Sequence, residues 1–181
     1  LAHASVSAFR SQYDRVKAMW YDCDRAARLA LLNPGKVYRA GRRLRFGVVQ
    51  SAGVPFLVMR IPAGRSIVYP WPAIENWGDR TDAITFYGQL PGKAIWGRIP
   101  TYGGKLFENA SQGTAGDFTS NGTVVAMDRG FDVFMLVHDE ALAMDDGRPV
   151  SEFCDALTTL PQWADGMVLK ADGKRVPYYL K

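Results

Sequence analysis

Residues 134–144 read FMLVHDEALAM and set His138, Asp139 and Glu140 side by side inside an otherwise apolar run. Neighbouring carboxylates are natural ligands for a hard divalent cation. Mg2+ takes oxygen donors, uses one or two carboxylates, and leaves its other positions to substrate phosphates. Chemistry on a phosphate ester is therefore one reading of the trio. A solvated hairpin turn with incidental charge is the other, and the three residues alone leave both open. A hydrolytic relay from His138 to Asp139 is poor on geometry, because adjacent strand residues point to opposite faces. No G-x-S-x-G nucleophile elbow accompanies it.

The trio needs a rigid mount. Val133, Met135 and Val137 face one way on a strand, and Phe134 and Leu136 the other. After Glu140 the apolar character resumes through Met144, which predicts a tight hairpin with its polar tip at 138–140 and buried strands on both sides. Carboxylates at such a tip cost desolvation energy unless something positive compensates. Upstream, residues 104–127 read as a helix, with Leu106, Ala110, Thr114 and Phe118 on one side and Lys105, Asn109, Gln112, Gly116 and Ser120 on another. Gly113, Gly116 and Gly122 each weaken a helix by about 1 kcal/mol relative to Ala. They imply close approach to a backbone or a ligand, or a helix that breaks near Asn121-Gly122.

Other segments build the frame. Residues 5–32 predict one helix with an apolar stripe of Phe9, Tyr13, Val16, Trp20, Cys23, Ala27 and Ala30, stopped by Asn33-Pro34-Gly35. Residues 36–72 predict a short strand, a turn near Ala40-Gly41, a second strand, and a hairpin turning at Pro62-Ala63-Gly64-Arg65. Arg39, Arg42, Arg43, Arg45 and Arg65 would project from those strands, toward phosphates or as a solvated basic face. A loop follows from 73, then strands near 82–87 and 94–99; residues 150–160 predict a short helix, and KRVPYYLK a final strand or an extended end.

Composition narrows the function classes. With 181 residues, 48% apolar and 22% charged, the sequence predicts one globular domain, 1–181. The net charge of +4 permits a nucleic-acid partner without demanding one. No run approaches the roughly 20 apolar residues of a membrane span. Nothing at the start reads as a secretion leader, so a cytoplasmic, reducing setting is expected. Cys23 and Cys154 form no C-x-x-C pair, and the glycosylation patterns at Asn109 and Asn121 read as chance. Leu1 in place of Met suggests a processed or partial chain.

Two linked segments, ENASQGTAGD (108–117) and FDVFMLVHDEALA (131–143), resemble the last part of family A DNA polymerases, those like bacterial DNA polymerase I. In that family a helix bearing an Asn and a Gln precedes a hairpin ending in V-H-D-E. RAGRRLRF, FLVMRIPAGRSIVYP and TYGGKLFEN also resemble bacteriophage members, so the likeness spans nearly the whole chain. It implies an α+β fold, a partial polymerase palm with two main helices on a small, mostly antiparallel sheet. It implies Mg2+-dependent nucleotidyl transfer in DNA replication, with primer-template DNA and dNTP as partners. Asp139 matches one of the two aspartates that hold a pair of metals about 3.5–4 Å apart. Glu140 sits beside it, and His138 matches a residue near the primer end. Gln112 and Asn109 would face the DNA minor groove, where amides can meet the acceptors shared by all base pairs. Lys105 would face a phosphate. Ordinary polar surface is the plainer reading of these last three.

The likeness is incomplete. No strand resembling D-Y-S-Q-I-E, which carries the family's other aspartate, is present, and neither is the fingers helix. The second carboxylate would come from outside this chain, from another polypeptide or an N-terminal segment, and the isolated chain is expected not to polymerise. The competing expectation is a DNA-binding or assembly remnant without chemistry.

Overall fold

The computed structural model describes residues 2–90 and 92–179. The fold is α+β, and the described residues form four α-helices and three sheets in which every strand pairing is antiparallel. By backbone packing the chain forms two compact units, 1–113 and 114–181, within the stretch that the sequence reads as a single domain. The division falls inside one long helix.

The first unit opens with α1 (Ala2–Gln12) and α2 (Asp14–Leu32). One helix is predicted over 5–32; the structure has two, because Tyr13 leaves helical geometry at φ −115° and ψ 56°. The apolar stripe is buried only in its second half. Cys23, Ala26, Ala27 and Ala30 are fully covered, while Phe9 and Tyr13 lie exposed against each other. Small side chains on that half let α2 lie close to a sheet of order β1-β2-β3-β4: Tyr38–Ala40, Leu44–Ser51, Val54–Arg60 and Ser66–Pro70.

The core face of this sheet alternates as the strand period requires. Tyr38, Phe46, Met59 and Ile67 pair across it in one row and pack with α2. Burying a side chain such as Phe46 or Met59 contributes about 1.5–3 kcal/mol. A second sheet has the order β5 (Ala73–Trp77), β6 (Arg80–Gln89), β7 (Trp96–Thr101). Where a loop is predicted from 73, the chain instead forms β5, because Gly78, at φ 56°, and Asp79 close a two-residue hairpin turn between Trp77 and Arg80. Tyr69 meets Phe86 edge to face at 4.9 Å, which joins β4 to β6.

Helix α3 (Gly103–Asp128) begins in this unit. A Cβ on Gly103 would lie 1.8 Å from the Trp20 carbonyl oxygen, so only glycine lets α3 start against α2. The Gly103 N–H donates to the Asp24 carboxylate at 3.2 Å, satisfying one of the orphan donors of a helix start. The glycines of TYGGK thus have a packing reason.

The second unit holds the rest of α3, the hairpin β8 (Val133–Val137) and β9 (Glu140–Ala143), and α4 (Val150–Leu157). Its core is small: Ala126, Phe131 and Ala156, with Val125, Val133, Phe153 and Leu157 around them. Helix α3 does not break at Asn121-Gly122. A Cβ on Gly122 would lie 2.2 Å from the Leu157 carbonyl oxygen, and Asn121 donates to the Thr159 carbonyl at 2.8 Å. The glycine lets the end of α4 approach. After a 3-10 turn at Gln162–Ala164 the tail runs without regular structure to 179, so its described part forms no strand; residues 180–181 lie outside the described residues. Among the described residues no helix is long and apolar enough to cross a membrane.

Candidate functional site

In the second unit, Val137 pairs with Glu140, and His138 and Asp139 form the two-residue turn between them. Glu140 is therefore the first residue of β9 rather than part of the tip. His138 adopts φ 55°, the left-handed region, which is uncommon for a non-glycine residue. Strain of this kind costs on the order of 1 kcal/mol and collects at functional turns.

Two expectations about this mount are corrected. The strands are not both buried: Val133, Met135 and Val137 are half-buried, but Phe134 and Leu136 are 56% and 47% exposed. The hairpin is a two-stranded sheet, and the described residues leave its second face about half exposed at Phe134 and Leu136. Nor is the tip desolvated. His138, Asp139 and Glu140 are all exposed, so the carboxylates keep their hydration and demand no compensating cation for folding.

Among the described residues Asp139 makes no hydrogen bond or ion pair, and no three His, Cys, Asp or Glu side chains gather as a metal-ligand group. Glu140 has a partner that sequence reasoning missed. The Tyr179 hydroxyl donates to its carboxylate at 3.1 Å. Partial loss of solvent, then the Glu140 carboxylate, pushes the Tyr179 phenol above its ordinary range. No periodicity in VPYYLK signals this contact; it depends on the tail folding back to β9.

A cleft of about 390 Å³ lies beside the hairpin, lined by Phe134, Leu142, Met144, Arg148, Arg175 and Tyr179 among others. Arg148 sits 3.7 Å over the Phe131 ring and donates to the carbonyls of Arg129 and Gly130. Its guanidinium also grips Asp146 and holds that carboxyl below the usual carboxylate range. Arg148 thereby ties the segment after β9 to the loop before β8.

The other predicted residues lie on the part of α3 in the first unit. Asn109 is half-buried and donates to the Tyr69 hydroxyl at 3.0 Å, so its amide is engaged within the fold. Burial raises the Tyr69 phenol, and this hydrogen bond partly offsets it. Gln112 and Lys105 are exposed; Lys105 stands 3.8 Å from Glu108, and Gln112 reaches the same carboxylate only at 3.5 Å. Both can reorient toward a ligand at little cost, since exposed ion pairs contribute about 0–1 kcal/mol. A cavity of about 660 Å³, also missed, lies between α2 and the start of α3, with Trp20, Tyr102 and Phe107 beside Arg10 and Lys17. The aromatic-glycine sequence at 102–104 was its only signal.

No family model matches the chain, and no solved structure matches it. The chain is similar to a phage DNA polymerase. Over an alignment of 182 positions that covers 97% of its own length, it is 34% identical to the protein named DNA polymerase from Bacillus phage SP02. The chain spans about a quarter of that relative, 27% of its length. The aligned region takes in both the α3 residues and the His138–Glu140 hairpin.

Proposed function

We propose that this chain is the C-terminal palm portion of a DNA-directed DNA polymerase of family A, acting in DNA replication inside a host cell. The observation that carries the proposal is Asp139. It is an exposed carboxylate with no partner among the described residues, on a two-residue turn, in a chain similar over 97% of its length to a phage DNA polymerase.

Asp139 fits half of a two-metal site. Mg2+ needs only one or two carboxylates beside phosphate oxygens, and Asp139 offers one oxygen pair without breaking any internal bond. Bound metal there would stabilise charge on the triphosphate and favour ionisation of the primer 3′-hydroxyl. Asp139 holds that position; Glu140, fixed by Tyr179, adds negative charge beside it. His138 stands next to the primer end. Gln112 and Lys105 supply a donor amide and a cation to DNA, while Asn109 steadies the helix through Tyr69. The second aspartate and the fingers belong to a segment not in this chain, either another polypeptide or an N-terminal part of the same one.

The test uses the polymerase completed with that segment. Asp139→Ala should lower primer extension by about a thousandfold or more, about 4 kcal/mol of barrier, with primer-template binding within twofold of wild type. Wild-type turnover in that variant would end the proposal. The isolated chain should incorporate no nucleotide. A second reading, a DNA-binding remnant without chemistry, is favoured by the exposed arginines of the four-stranded sheet; it predicts DNA binding with no effect of Asp139→Ala on any rate.

A further inference from the structure

From Arg25 to Ile74 the sequence contains no Asp or Glu and nine cationic residues. The fold gathers six of them at one end of the four-stranded sheet. Arg39 pairs directly with Arg45, and Arg45 directly with Arg60, so three arginines form a row across β1, β2 and β3. The row lies on the face opposite the core row of Phe46 and Met59, and all three side chains are exposed. Arg42 and Arg43 occupy the β1–β2 turn, and Arg65 the β3–β4 turn, at the same end. Among the described residues Arg39, Arg42, Arg45 and Arg60 have no ion pair.

A sheet surface selected for folding alone interleaves signs, because like charges directly opposite each other repel. Here a like-charged row is built from residues that every ladder bond holds in register. It is also all arginine. The guanidinium fork matches phosphate oxygens two at a time, which an ammonium cannot do. At about 4.8 Å between strands the row spans about 10 Å. Duplex DNA carries one charge per about 1.7 Å of axis, so several phosphates fall within reach. The neighbouring row on this face is Gly47, Val58 and Val68, so neither row offers a ring on which unpaired bases could stack.

We propose that the Arg39–Arg45–Arg60 face holds the phosphate backbone of a DNA duplex without reading its sequence. The choice of DNA over another polyanion rests on the polymerase reading; the anion-binding surface does not.

The test is fluorescence anisotropy of the 181-residue chain with a labelled mixed-sequence duplex, in EDTA, without nucleotide, across a NaCl series. The triple variant Arg39→Gln, Arg45→Gln, Arg60→Gln should bind more than tenfold more weakly near physiological salt. Its slope of log K against log [NaCl] should be shallower by about 2.7, three contacts at about 0.9 each. Arg45→Gln alone should flatten the slope by about 0.9, and serves if the triple variant does not fold. Lys93→Gln, Lys170→Gln and Lys174→Gln together remove the same charge elsewhere and should leave affinity within threefold. Equal losses in the two triple variants, or wild-type binding by the arginine triple, would overturn the proposal. Tighter binding of the same single strand, or of a poly-glutamate peptide of equal charge, would assign the face to that ligand instead. Because no metal or nucleotide is present, the outcome is independent of Asp139 and of the primer-extension test.

Discussion

Two glycines of α3 separate packing from ligand approach. Gly116 and Gly122 are both interior to the helix and both belong to the second unit. Replacing an interior helical glycine with alanine contributes about 1 kcal/mol from backbone entropy alone. At Gly116 a Cβ would meet nothing within 4 Å, so Gly116→Ala should realise that gain. At Gly122 the same Cβ would meet the Leu157 O, C and Cα at 2.2, 2.8 and 2.9 Å. These are backbone atoms, so the end of α4 must move by about 1 Å, at a cost of about 1–3 kcal/mol for overpacking. The Asn121 to Thr159 hydrogen bond, worth about 1 kcal/mol, is strained with it. Gly122→Ala should therefore be less stable than Gly116→Ala by about 2–4 kcal/mol, or about 4–16 °C in Tm for a chain of this size. Urea and thermal unfolding followed by tryptophan fluorescence would measure the gap, with Trp163 reporting from the second unit. A Gly122→Ala variant as stable as Gly116→Ala would show that α4 does not close on α3 there. Gly116→Ala has a second readout. If the open glycine serves a DNA backbone, the more stable variant will bind primer-template more weakly; unchanged binding would remove that role.

Arg45→Thr should raise stability by about 0.4–1 kcal/mol, because it relieves two directly opposed like charges, Arg39 and Arg60; a fall in Tm would contradict the solvated row. A double-mutant cycle on Asn109→Ala and Tyr69→Phe should give a coupling of about 0.5–1.5 kcal/mol, and no coupling would mean that the Asn109 amide is not held by Tyr69. Burial, then Asp22 and Asp24, pushes the Cys23 thiol up to about 12 from 9.0. The folded state thus retains a proton that the unfolded chain gives up, and stability is lost as pH rises from about 9 toward about 12. Cys23→Ala should flatten that slope in urea titrations; an unchanged slope would place the titration elsewhere. At neutral pH Cys154 should react with a thiol reagent before Cys23, since Cys23 is fully buried and Cys154 only partly.

Local order was readable wherever one residue type sets the backbone or one period sets a face. The turn at Pro62-Ala63-Gly64-Arg65, the stop at Asn33-Pro34-Gly35, the α3 span and the β8–β9 hairpin all follow from such signals, and all appear in the structure. The break at Tyr13 and strand β5 were not readable, since α1 and α2 share one apolar period and β5 carries polar Glu75 and Asn76 between prolines and a glycine turn. Register, burial and long-range approach belong to tertiary structure. A sequence shows apolar residues flanking His138-Asp139-Glu140 but not the number of strands beside them; two strands leave Phe134, Leu136 and the carboxylates in water. It shows arginines scattered from 39 to 65 but not that antiparallel register sets three of them opposite one another. It shows Asn109 on a helix but not that Tyr69, forty residues earlier, takes up its amide. Residue types, and the resemblance they carry, pointed to the chemistry proposed for Asp139. The folded chain decided what stands near it, because neighbours across a sheet or between helices are set by packing that no local pattern encodes.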